Sequence, residues 1–303
     1  MRLVTYSEGR RKPVKLGVIG TDDGVIDLER AAKKARITLP FSPHDMVELI
    51  AAGRAGIAAI RKAVAGVKTA HHRLEQVILH APIPRPRKNV FCVGWNYLDH
   101  FQEGAKARPH VQEMPAHPAF FTKTPTTVSA PYGLVPRHAG LTERLDWEVE
   151  LAVVIGKGGS NINEADAMKH IFGYMVANDV SAREIQRQHG QQWFKGKSLD
   201  GHAPMGPWIA TADEVPEPQK LDIACRVNGV TKQTSNTSYM YFKIPRIIAE
   251  LSAGLTLEPG DIILTGTPAG VGHARTPPEF MQTGDVLETE IEGIGLLRNR
   301  IGG

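Results

Sequence analysis

Over residues 144–156, RLDWEVELAVVIG, polar and apolar positions first alternate and then give way to an unbroken apolar run. Leu151-Ala152-Val153-Val154-Ile155 has the β-branched character of a buried strand. If the strand extends back through Asp146, Trp147, Val149 and Leu151 face one way and Glu148 and Glu150 the other. Two ionised carboxylates side by side next to a core repel each other and resist desolvation. Either water covers that face, or a cation does.

Similar patterns predict strands at NVFCVG, AFFTK, HIFGYMVANDV, PWIATADE, LDIACRVNG, DIILTGT and DVLETEIEGIGLLRNRI. GKGG, VNGV and EGIG offer hairpin turns between them. Helical periodicity is confined to EADAMKHI, FKIPRIIAELSA and SAREIQRQHGQQ, the last running from a Ser181 cap through Gln192. Upstream, TDDG is a turn between the short strands LGVI and VIDL. Ser42 and Pro43 fit the cap and first position of a helix carrying Met46, Leu49, Ile50, Ile57 and Ile60. The prolines of APIPRPRKN interrupt regular structure and set a boundary near residue 85. The fold class is therefore a mixed, β-rich α+β architecture: a smaller α+β domain over residues 1–85 and a strand-rich domain over 86–303.

The chain has 303 residues, 42% hydrophobic and 22% charged, which marks a folded globular protein. Its formal charge of +4 is spread out. The basic clusters Arg10-Arg11-Lys12 and Arg85, Arg87, Lys88 lack interleaved aromatics, so no nucleic-acid surface is expected. Cys92 and Cys225 lie in apolar strand-like runs and read as packing residues, without disulfide or zinc spacing. Neither a signal-peptide run nor a membrane span is visible, and the expected location is cytoplasmic.

If a cation covers Glu148 and Glu150, oxygen-only ligands select a hard ion such as Mg²⁺, Mn²⁺ or Ca²⁺. A third acid is then needed, and Asp179 ends an apolar strand; the alternative for Asp179 is the N-cap of the next helix. His100 and Glu103 in VGWNYLDHFQEG are spaced to share a helix face, an arrangement suited to proton transfer, although a surface pair has the same spacing. Lys195 and Lys197 lie in WFKGKSLDGHAPMGP, where a lysine near a metal could hold a carboxylate or oxyanion. DIILTGTPAGVG is not a dinucleotide fingerprint, because Pro268 interrupts it; its amides, with Thr265 and Thr267, could face an anion.

Taken in order, VGWNYLDHFQE, PAFFTKTPT, LDWEVELAVVIG, NDVSAREIQ, WFKGKSLDGHAPMGPW, VNGV, LEPGDIILTGTPAGVG and IEGIGLLRNRI resemble the fumarylacetoacetate hydrolase family over roughly residues 89–301. The resemblance implies a twisted β-roll with a smaller N-terminal domain, and one Mg²⁺ or Mn²⁺ per subunit on Glu148, Glu150 and Asp179. It implies a water-activating dyad of His100 and Glu103 on a lid, Lys197 as a catalytic cation, and substrate contacts at Gln186, Thr267 and Lys123. There are two departures: Trp95 replaces a common arginine, and Val93 occupies the position of an extra aspartate ligand. The implied reaction is hydrolysis of a C–C bond in a 2,4-dioxo acid through a pyruvate enolate. The alternatives are an isomerase or decarboxylase of 2-hydroxydienoic or 2-oxo diacids in aromatic-compound catabolism, and a non-catalytic ligand-binding relative. The expected partner is a small 2-oxo or 2,4-dioxo acid, and the expected assembly is a homodimer.

Overall fold

The computed structural model describes residues 1–105, 113–190 and 192–303. Its largest sheet has eleven strands, a second has five, and Ser181–Ala182 pairs with Leu145–Asp146. At the centre of the large sheet lies Val149–Ile155, every residue buried. It pairs antiparallel with Ile171–Asn178 on one side and Ile262–Leu264 on the other. Ile262–Leu264 continues to Val90–Gly94 and then to Ala119–Lys123. The apolar runs in these strands are continuous, as expected where both faces are covered.

The second sheet is built on Asp222–Val227, Val230–Asn236, Val286–Ile291 and Gly295–Gly302. VNGV forms a two-residue hairpin, with Asn228 and Gly229 at φ +53° and +75°, the handedness that matches strand twist. EGIG likewise turns Val286–Ile291 into Gly295–Gly302. GKGG does not: it leads into a 3₁₀ segment, Glu164–His170, where a helix was expected. Trp147, Val149 and Leu151 pack in the core between the two sheets, with Tyr174, Cys225 and Leu297.

The N-terminal segment is fused to this frame. Arg2–Ser7 pairs with Ala203–Thr211, placing Leu3 opposite Ile209, and so extends the large sheet. Leu3, Leu16, Leu28 and Ile60 share one buried cluster with Val90, Cys92, Met175 and Leu264. The prolines near residue 85 therefore separate two stretches of sequence that share one sheet and one core.

Several local expectations need correction. The helix placed after Ser42-Pro43 begins at Met46, because the Asp45 carboxylate accepts from the Val47 and Glu48 amides and is the better cap. A helix that the sequence reading missed, Leu28–Ala35, starts at Asp27, which caps Arg30. The helix expected from Ser181 spans only Arg183–Gln188, since Ser181 is committed to pairing with Asp146; Gln191, near its expected end, lies outside the described residues. Among the described residues, no helix is long and apolar enough to cross a membrane.

Candidate metal centre and acid–base dyad

Register brings the acids together. Val149 pairs with Asn178 and Glu150 with Ala177, so one step outward Glu148 lies opposite Asp179, whose amide donates to the Glu148 carbonyl at 2.8 Å. Directly opposed residues and those two apart share a sheet face. Glu148, Glu150 and Asp179 therefore project from the same face, with ligand oxygens within 4.8 Å of one another. None is exposed by more than 5%. The solvated-face alternative does not hold, and Asp179 caps no helix.

Three buried cations surround the cluster. Lys197 donates to Glu148 Oε2 and to Asp179 Oδ2, each at 2.7 Å. Lys123 donates to Asp179 Oδ1 at 2.6 Å and to the Val180 carbonyl at 3.1 Å. Arg183 reaches Glu148 Oε1 at 2.7 Å through Nη2, and Asp146 Oδ2 at 2.7 Å through Nε. Burial pushes Glu148 up, but Lys197 and Arg183 outweigh it and hold its pKa at about 2. Glu150 goes the other way, raised by burial and by the neighbouring charges of Asp179 and Glu148. Its Oε2 accepts the Gly266 amide at 2.6 Å, and among the described residues no cation pairs with it.

That imbalance tests whether a metal fits. Three convergent oxygen donors, one of them unpaired with any cation and repelled by the other two, suit a hard divalent ion. A second group, Glu8, Asp27 and His72, also brings ligand atoms together. There too an ammonium bridges two of the carboxylates, Lys15 on Glu8 and Asp27 at 2.8 and 3.1 Å, but Glu8 is exposed, whereas all three acids of the first cluster are buried.

The dyad lies beside the cluster. Helix Leu98–Glu103 carries both residues, and His100 Nδ1 is 2.7 Å from Glu103 Oε1. The Gly-rich turn joins the two groups: four residues beyond Gly266, the Gly270 amide donates to Glu103 Oε2 at 2.8 Å. Gln233 braces this turn, donating to Thr267 Oγ1 and the Pro268 carbonyl at 2.8 Å while accepting from the Val149 amide. The turn's Gly266 and Gly270 amides thus serve the protein's own carboxylates, not the bound anion anticipated for it. Thr265 is buried, its hydroxyl on the Leu151 carbonyl.

The remaining expected contacts are placed as follows. Thr267 is 3% exposed, next to Gln233. Gln186, half-buried, accepts from Arg183 Nη1 at 3.3 Å. Lys123, named as a substrate contact, has no exposed surface and directs its ammonium to Asp179. Trp95, at φ +57°, begins an aromatic row. Its ring meets Phe101 at 6.1 Å and Trp193 at 4.8 Å; Trp193 meets Phe121 at 5.3 Å, and Phe121 lies 5.1 Å from Lys197 Nζ. Gly94 permits this, since a Cβ there would come within 2.3 Å of the Trp193 ring. The sequence reading missed Asp146, Asn178, Arg183 and Gln233. Asn178 accepts from the Glu148 amide and donates to Thr289. Their signal was weak: each is an ordinary polar residue whose importance lies in long-range partners.

Comparison with known proteins matches residues 89–302 to the fumarylacetoacetate hydrolase C-terminal family model. The chain is 44% identical to oxaloacetate tautomerase YisK of Bacillus subtilis, covering 95% of this chain and 96% of that protein. It is 41% identical to the human mitochondrial oxaloacetate tautomerase FAHD2A, covering 99% and 91%. Among solved structures, maleylpyruvate hydrolase from Sphingobium sp. SYK-6, in complex with manganese(II) and pyruvate, superposes with a TM-score of 0.77 at 30% identity, covering 100% of this chain and 99% of that one.

Proposed function

The chain belongs to the fumarylacetoacetate hydrolase family, and from that premise we propose that it is a divalent-metal-dependent tautomerase interconverting the keto and enol forms of a short 2-oxo diacid of the oxaloacetate type. The observation that carries the reading is the juxtaposition of a His–Glu dyad with a buried three-carboxylate cluster, braced by one turn. It is supported by tautomerases that align over more than nine-tenths of the chain.

Tautomerisation moves one proton. The C–H bond at C3 breaks, its electron pair forms the C2–C3 double bond, and the 2-oxo oxygen gains a proton. Glu103 holds Nδ1 of His100, which leaves Nε2 to take the proton from C3 and deliver it to the 2-oxo oxygen, and to run the transfer backwards for ketonisation. Lys197 spends two ammonium hydrogens on Glu148 and Asp179, and the third can stabilise charge on the 2-oxo oxygen. A Mg²⁺ or Mn²⁺ ion held by Glu148, Glu150 and Asp179 would supply Lewis acidity toward the substrate oxygens. Lys123 holds Asp179 in place, while Thr267 and Gln186 remain candidate substrate contacts.

The hydrolase reading stands second. Its support is the manganese- and pyruvate-bound maleylpyruvate hydrolase that shares the fold. C–C hydrolysis needs water admitted beside the dyad, which tautomerisation does not. A homodimer fits either reading, with Phe194 and Tyr239 exposed by 42% and 68%; a monomeric mass in solution would contradict it. The decisive assay follows the ultraviolet absorbance of enol-oxaloacetate with Mn²⁺, with product analysis for pyruvate and for acylpyruvate cleavage. Accelerated loss of enol without pyruvate release is expected. Acylpyruvate cleavage with no effect on the enol would establish the second reading.

A further inference from the structure

Asp146 has no exposed surface and touches both halves of the site. On one side its Oδ2 accepts from Arg183 Nε at 2.7 Å, and the same guanidinium reaches Glu148 at 2.7 Å through Nη2. On the other side it collects the start of the turn that follows the Gly-rich loop. Gly272 donates to Oδ1 at 2.6 Å, and the His273 amide and Nδ1 reach Oδ2 at 3.0 and 3.2 Å. Two residues upstream in that loop, Gly270 donates to Glu103. Pairing of Ser181 with Asp146 fixes the strand that delivers Arg183.

We propose that Asp146 is a positioning residue that ties the geometry of Glu148 in the acidic cluster to that of Glu103 in the dyad, through Arg183 on one side and the Gly272–His273 turn on the other. It touches neither substrate nor reacting atoms. A buried carboxylate with this many donors has few alternative arrangements, so a shift on one side reaches the other. The inference rests on the reading of Glu148 as a metal ligand and of Glu103 as part of the dyad.

The test perturbs each side and reads the far one, using the full chain and no turnover. Arg183→Lys changes the metal side, because an ammonium cannot span both carboxylates as a guanidinium does. The far readout is hydrogen exchange at the Gly270 amide in the metal-free protein, expected to quicken by about tenfold. His273→Ala changes the loop side, and its far readout is Mn²⁺ affinity by calorimetry, expected to weaken by about tenfold. Asp146→Asn should move both. If either far readout of the two flanking variants stays within about twofold of wild type, the link is refuted. The Gly270 measurement needs neither metal nor substrate. A chain inactive on enol-oxaloacetate would therefore sink the proposed function while leaving this link to be decided on its own.

Discussion

Lys123 and Lys197 grip opposite oxygens of Asp179, at 2.6 Å on Oδ1 and 2.7 Å on Oδ2. Both ammonium groups are buried, so the acid is held in one orientation by partners that water does not screen. Removing one partner of such a pair leaves an uncompensated buried charge. Lys123→Met should destabilise the metal-free protein by about 3 kcal/mol in urea titration. A loss below about 1 kcal/mol would show that Asp179 is not held as described.

Glu148→Gln keeps the shape of the proposed metal ligand and removes its charge. Loss of groups that merely orient metal ligands lowers affinity by about 10–100-fold, so loss of a ligand itself should exceed about 100-fold. Calorimetric titration with Mn²⁺ measures this, and unchanged affinity would remove the acidic cluster from consideration as a metal centre.

Stability should depend on pH in two opposite ways. Glu150 is raised from its ordinary 4.5 by burial, Asp179 and Glu148, so the folded metal-free protein keeps a proton there that the unfolded chain loses. Its contribution is full below 4.5 and fades as pH rises through the folded value. Glu148, held at about 2 against burial by Lys197 and Arg183, contributes above 4.5 and loses that contribution as pH falls toward about 2. Metal ligation requires Glu150 ionised. The rise in Tm caused by Mn²⁺ should therefore grow with pH, and calorimetry in buffers of different ionisation enthalpy should show proton release. Binding with no proton release at mildly acid pH would contradict the raised Glu150.

His100→Ala removes the proposed proton carrier and leaves the three acids in place. Mn²⁺ affinity should stay within about threefold, while turnover of enol-oxaloacetate falls by about 10²–10⁴-fold, the usual contribution of a positioned acid–base group. Full activity in this variant would assign the proton transfer to another residue.

Much of the site was legible because it follows from period and order. The alternation in WEVEL puts Glu148 and Glu150 on one face before any pairing is known. Asp179 could be named from its place at a strand end, yet only the register of Val149 with Asn178 sets it opposite Glu148. For His100 and Glu103 helical spacing gave only a shared face, which a surface pair would share; the dyad reading came from the family resemblance. Asp146, Arg183 and Gln233 were invisible for the converse reason: the site partners that give them their role lie 34 to 127 residues away in sequence, from Gln233–Thr267 to Asp146–His273. The Gly-rich turn was recognised as a set of amide donors, but whether they serve a ligand or the chain's own carboxylates depends on packing that no local pattern encodes. The boundary near residue 85 shows a similar limit, since prolines break a strand without separating the cores on either side.

Because Leu3 is stitched to Ile209, the first 85 residues cannot be treated as a detachable module. Cutting them away would strip the outer edge from Ala203–Thr211, which begins six residues after Lys197, and open a raw strand to solvent and to other copies. An attempt to isolate a minimal catalytic core should yield aggregates in place of a smaller enzyme.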